Sequence, residues 1–232
     1  MRRMITEKEL SFFDSIKERG AQYVYNGITY VGNNDSDIKI SDGNFNSYTN
    51  YDAAFAGLSF KHRETGASIS IKSIEFPNFN PTPRTCNCAF LGLNVNKIIF
   101  NGGTLGDGYC AFNATTANTI EVRENLKLYG LWYYAFMNSN LVEIGAFDVS
   151  NVTNFAGTFV GTNKLAKLHF KHIRTNLDIS VSTAFDTAAL VEIISNLDDT
   201  GSAHTLTIGA TNLAKLSEAQ IKVATDKGWN LA

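Results

Sequence analysis

Between residues 54 and 185 a pair made of a small residue and a phenylalanine recurs at a near-regular interval in six places. The pairs are Ala54-Phe55, Ala89-Phe90, Ala111-Phe112, Ala135-Phe136, Thr158-Phe159 and Ala184-Phe185. The phenylalanines are 35, 22, 24, 23 and 26 residues apart, so the first interval carries an insertion around "KHRETGAS". Each pair is followed by a polar turn and a short apolar run: "IKSIEF", "NKIIF", "NTIEV", "NLVEI", "KLAKLHF" and "ALVEII". Most of these runs alternate with the period of a half-buried strand. A motif returning every 20 to 30 residues or so marks stacked units that cannot bury an apolar face alone. Phe55, Phe90, Phe112, Phe136, Phe159 and Phe185 are therefore the expected structural core. Small neighbours let the chain turn inward, and Asn, Thr and Gly suit the corners.

The flanks read differently. Thr6 and Glu9 form a capping box with Ile5 and Leu10 as its staple. This predicts a helix with Leu10, Phe13 and Ile16 on one face and Gly20 as its stop. In "YVYNGITYV" the Asn26-Gly27 pair predicts a type I′ hairpin, and residues 32–50 read as loop. Toward the other end "LVEIISNL" predicts a helix, "HTLTIG" a strand, and "LSEAQIKVATDKGWNLA" a helix and edge strand. Ser217 and Gln220 form a second capping box there, Gly228 is the stop, and Trp229 follows as a hydrophobic contact. The expected units are 1–50, a cap or attachment module; 51–190, the repeats; and 191–232, a C-terminal cap.

The stretch "AFMNSNLVEIGAFDVSNVTNFAGTFVGTNKLAKLHF" (135–170) resembles the leucine-rich repeats of BspA-like bacterial surface proteins. Those repeat about every 23 residues, and the likeness spans roughly 52–190. The turn cysteine usual in that family is missing, with Thr162 in its region. The ending, with "TLTIG" and "KGWNL", resembles repeat proteins of phage virion and tail gene sets. Together the resemblances imply an α+β fold: a leucine-rich-repeat-like solenoid of six short β-containing coils, preceded by a helix and hairpin and closed by an α/β cap. They further imply a non-enzymatic bacteriophage virion protein, a tail or head fibre-type component presenting a repeat surface for attachment. A BspA-like cell-surface adhesin is the alternative, and a glycan-active enzyme the third reading.

Charge changes this picture little. The net charge is −2 and no Lys/Arg run stands out, which argues against nucleic acid as a partner. No segment reaches the ~18 continuous apolar residues of a membrane span. The start, "MRRMITEKELSFFDSIKERG", lacks the uncharged apolar stretch of a signal peptide, so the expected location is the virion, after synthesis in the host cytoplasm. The bacterial cell surface is the alternative location. Expected partners are a host-surface glycan or protein, another virion protein, or further copies of the chain.

Candidate chemistry is sparse. Cys86, Cys88 and Cys110 are an odd set, and "CNC" lacks metal-ligand spacing. His169 and His172 stand three apart without a recognisable ligand set, and "NGGTLGDG" lacks the Lys and Ser/Thr of a phosphate loop. No catalytic residue, metal or cofactor is expected. The strongest candidates for binding are aromatic: Phe45, Tyr48 and Tyr51 in "NFNSYTNY", and Tyr129, Trp132, Tyr133 and Tyr134 in "LYGLWYY", with Tyr48, Tyr51, Tyr129, Trp132 and Tyr133 as the expected site. Tyr and Trp displayed on a rigid surface offer large contact area to glycans and proteins. The competing reading places Trp132 beneath a loop as part of the core.

Overall fold

The protein is described by a computed structural model that covers residues 71–232 throughout, and before them 4–5, 9–10, 29–32, 37–40, 50–56 and 58–62. Its strands lie in one seven-stranded sheet and three small ones, and every pairing among the described residues is parallel. The large sheet holds β2 (Glu9–Leu10), β4 (Asp37–Ile40), β6 (Ser73–Phe76), β7 (Lys97–Phe100), β9 (Thr119–Val122), β11 (Glu143–Ile144) and β13 (Lys167–Leu168), neighbours in that order. A second sheet joins β8 (Gly103–Leu105), β10 (Leu126–Leu131) and β12 (Phe147–Asn154). A third joins β1 (Met4–Ile5), β3 (Thr29–Gly32) and β5 (Ser59–His62). The last joins β14 (Leu177–Asp178), β15 (His204–Thr207) and β16 (Trp229–Leu231).

This corrects the expected fold class. The leucine-rich-repeat-like α+β solenoid, with one short strand per coil, gives way to a mixed chain of mostly parallel sheets with few helices. The stretches "GTL", "LKLYGL" and "FDVSNVTN", which lie outside the six apolar runs, are strands of a separate sheet. Their Gly, Asn and Ser residues disguise them. The β10–β12 register also shifts between Lys127 and Tyr129 and between Gly130 and Leu131, which breaks strict alternation.

At the N-terminus the expected helix and hairpin are corrected only where residues are described. Glu9 and Leu10 pair with Lys39 and Ile40 as strand, so at these two residues sheet pairing overrides the capping-box pattern; Phe13, Ile16 and Gly20 of the expected helix and the Asn26-Gly27 turn lie outside the described residues. Strand β3 runs parallel to β1 on one side and β5 on the other, leaving Thr29 and Tyr30 no edge for a hairpin partner. The boundary at residue 50 thus cuts across two sheets, and that at residue 190 falls inside a helix.

Three helices follow residue 186: α1 (Thr187–Ser195), α2 (Ala210–Leu213) and α3 (Glu218–Asp226). Asp186 caps α1 by accepting from the Ala189 amide at 2.8 Å. Ser217 and Gln220 close a reciprocal capping box on α3. Gly228 takes φ 79°, and Trp229 is buried with its Nε1 donating to the Asp198 carbonyl at 2.9 Å.

The core between the sheets is built of phenylalanine. All six repeat phenylalanines are buried. Phe55, Phe90, Phe112, Phe136 and Phe159 lie face to face, with successive centroids 5.7, 4.7, 5.1 and 5.5 Å apart and rings within 9° of parallel. A second row stands beside it: Phe76 and Phe100 from β6 and β7, then Phe147 and Phe170. The rows meet edge-on, as Phe76 does Phe90 at 5.0 Å and Phe100 does Phe112 at 5.9 Å. Such edge contacts add about 0.5–1.5 kcal/mol each to the burial of the rings.

The outer face of the large sheet is charge-paired. Arg123 reaches Glu75 and Glu121 at 3.0 Å each, and Lys97 also pairs with Glu121. The hydrogen bond from Lys97, and then that from Arg123, hold the Glu121 carboxyl below its ordinary value of 4.5. A lowered carboxylate contributes stability above that value and loses it as pH falls through the folded-state pKa. Because the group is a third exposed, Glu121→Gln is expected to cost no more than about 1 kcal/mol at neutral pH. In urea unfolding the gap between wild type and variant should close toward pH ~3, whereas an equal gap at both pH values would contradict this account.

Candidate binding surface

Phe90, Phe112, Phe136 and Phe159 each sit between two left-handed backbone positions, and Phe55 follows one. Two residues before the phenylalanine stand Ala53, Cys88, Cys110, Tyr134 and Gly157, all with φ between 53° and 65°. Two residues after it stand Gly92, Ala114, Asn138 and Gly161, with φ between 56° and 76°. A left-handed residue other than glycine costs about 1–2 kcal/mol, so something must hold these corners. The corners hydrogen-bond one to the next. Cys88 donates to the Tyr109 carbonyl, Phe90 to Ala111 and Gly92 to Asn113, each at 2.8 Å. Cys110, Phe112 and Ala114 repeat the pattern onto Tyr133, Ala135 and Met137, and Tyr134, Phe136 and Asn138 onto Ala156, Thr158 and Val160. Side chains at equivalent positions therefore line up along the molecule.

The structure divides the aromatic candidates. Phe45 and Tyr48 lie outside the described residues. Tyr51 and Trp132 are buried, and their assignment to a binding surface is corrected. Both occupy the position four before the repeat phenylalanine, where side chains turn inward: Tyr51, Cys86, Gly108, Trp132 and Phe155 are the series. Trp132 fits because the copy below it offers Gly108; a Cβ there would lie 2.8 Å from the indole ring. The indole Nε1 is satisfied by the Tyr129 carbonyl at 3.0 Å. Tyr129 and Tyr133 are half-buried.

Among the described residues the exposed aromatics are Tyr134, the last of the "LYGLWYY" run, and Tyr109, which the sequence pattern does not single out. Tyr109 is 48% exposed and Tyr134 is 41% exposed, and their rings meet edge-on with centroids 6.2 Å apart. Tyr134 then lies across Gly157, where a Cβ would come within 2.3 Å of Cε1. The glycine thus lets the phenol ring rest flat on the next corner. Gly157 also borders a groove of about 450 Å³ whose floor is the buried Phe155 and whose walls carry Asn154, Thr175, Asn176, Asp178 and Thr207. A tyrosine face beside amide, hydroxyl and carboxylate groups can stack on an apolar ring face and hydrogen-bond its rim.

A second depression, of about 540 Å³, lies on the outer face of the large sheet above Gly145. There His169 is bracketed by Glu192 of α1 at 2.6 Å and Glu143 of β11 at 3.3 Å. These carboxylates lie 23 and 26 residues away in sequence, too far for a local motif to reveal them. The arrangement fastens α1 to the sheet. His172 pairs with Asp198 at 3.3 Å, and Arg174 with the same carboxylate at 3.2 Å. Among the described residues no cluster of His, Cys, Asp or Glu is suited to a metal ion, and no helix is long and apolar enough to cross a membrane.

No family model, no curated protein and no solved structure matches the chain.

Because Trp132 depends on the space above Gly108, Gly108→Ala should push the indole out of its seat. The expected result is a red shift of tryptophan emission and a lower thermal midpoint. An unchanged spectrum and midpoint would show that the indole does not need the vacancy.

Proposed function

We propose that the protein is a non-enzymatic binding protein of a bacteriophage particle, a tail or head fibre-type component. The Tyr109–Tyr134 edge and the adjoining groove engage a neutral glycan of the host surface. The observation that carries this reading is the Tyr134 ring laid across Gly157 at the groove's border, with Tyr109 edge-on beside it. A sugar ring has an apolar face and a hydroxyl rim. The phenol ring matches the first, while Asn154, Thr175, Asn176 and Asp178 match the second. Tyrosines held on a hydrogen-bonded corner lose little freedom on binding, which favours affinity. The particle setting rests on the resemblance of the "TLTIG…KGWNL" ending to phage virion repeat proteins.

The reading is tested by binding of purified protein to immobilised host-envelope polysaccharides. Tyr134→Ala and Tyr109→Ala should each weaken binding about tenfold or more, as expected for central aromatic anchors. Both variants should keep the wild-type thermal midpoint. Equal binding by both would remove this surface from the reading. For the setting, the protein should be found by mass spectrometry in purified particles; its absence there and presence on the bacterial envelope would overturn it.

A further inference from the structure

Cys88 and Cys110 occupy the same left-handed position in adjacent corners, with φ of 54° and 53°. Hydrogen bonds on both sides fix them in register: Cys88 N to the Tyr109 carbonyl and Phe90 N to the Ala111 carbonyl, both 2.8 Å. Two residues on, the Phe90 and Phe112 rings stack at 4.7 Å. Residues bonded in register on neighbouring strands stand ~4.8 Å apart, inside the Cα separation of about 4.4–6.8 Å that disulfides span. Burial, and after it the neighbouring Cys110 thiol, push the Cys88 thiol upward, so its thiolate forms only at mildly alkaline pH. Cys86 is set apart from this pair. It is fully buried, and its Sγ points to the Gly106 carbonyl at 4.0 Å.

We infer that Cys88 and Cys110 form a modification site, a dithiol that closes to a disulfide at the expense of a low-molecular-weight disulfide. Cys88, half-buried and the more accessible, attacks first. Its thiolate forms a bond to one sulfur of the external disulfide, whose S–S bond breaks and releases one thiolate. Cys110 then attacks the Cys88 sulfur of the mixed disulfide, forming the Cys88–Cys110 bond and releasing the second thiolate. Two protein thiols are oxidised, one external disulfide is reduced to two thiols, and the two protons pass to the released thiolates. The closed bond ties together the corner before Tyr109 and the corner after it, stiffening the strip on which Tyr109 and Tyr134 stand.

The test uses the full chain, folded, incubated with oxidised glutathione, then quenched in acid, alkylated and mapped by peptide mass. The expected product is a peptide pair joined through Cys88 and Cys110, with Cys86 alkylated only after denaturation. The thermal midpoint should rise by about 5–10 °C, and a reductant should reverse the rise. Cys88→Ser, folded by circular dichroism, should lose it. A stable glutathione adduct on Cys88, a bridge through Cys86, or no linked peptide would each overturn the inference.

Discussion

The face-to-face stack of Phe55, Phe90, Phe112, Phe136 and Phe159 is the constraint on which the rest of this molecule depends. Rings within 9° of parallel demand that the backbone enter and leave every corner in the same way. The chain achieves this with a left-handed residue before each of these rings and, from Phe90 to Phe159, another after it. It accepts the strain even at Cys88, Cys110 and Tyr134, where no glycine is available. What offsets the strain is the ladder of amides and carbonyls that each corner makes with the next. Rings and ladder are mutually dependent. Neither a corner without its neighbour nor a ring without its stack would keep this conformation.

From that constraint the surface follows. Equivalent positions repeat along one line, so a change of residue at one position changes what the line presents. At the left-handed position before the phenylalanine the series runs Ala53, Cys88, Cys110, Tyr134, Gly157. It contains both the paired thiols and the tyrosine proposed to meet a ligand. At the inward position Gly108 yields its volume to Trp132. On the opposite side, the large sheet leaves its outer face to water and satisfies it with the Lys97, Glu121, Arg123 and Glu75 pairs. Phenylalanine inside and paired charge outside let parallel strands stand with one face uncovered.

How much of this could be read beforehand depends on the range of the interaction. The small-Phe pairs are local, and they identified all six ring positions. The Ser217–Gln220 cap and the Trp229 contact are local too, and they form. The strands of the second sheet were missed because "GTL" and "FDVSNVTN" carry residues that favour turns, and their pairing comes from neighbours more than 20 residues away. At Glu9 and Leu10 the local signals for a helix start lost to pairing with β4. Trp132 was misplaced because its room lies at Gly108, in another copy. Tyr109 and Tyr134 are exposed for the same reason. The corner geometry, which no single segment reveals, decides which aromatic of a run points outward.

The central claim is that the ring stack and the corner ladder form one cooperative unit. It is tested most directly by Phe112→Ala, combining equilibrium urea unfolding with amide hydrogen exchange. The account predicts a loss of about 3–5 kcal/mol. It also predicts faster exchange at the amides of Cys88 and Phe90 below and Tyr134 and Phe136 above, not only at residue 112. An unchanged unfolding midpoint, or a loss of protection confined to residue 112, would contradict it.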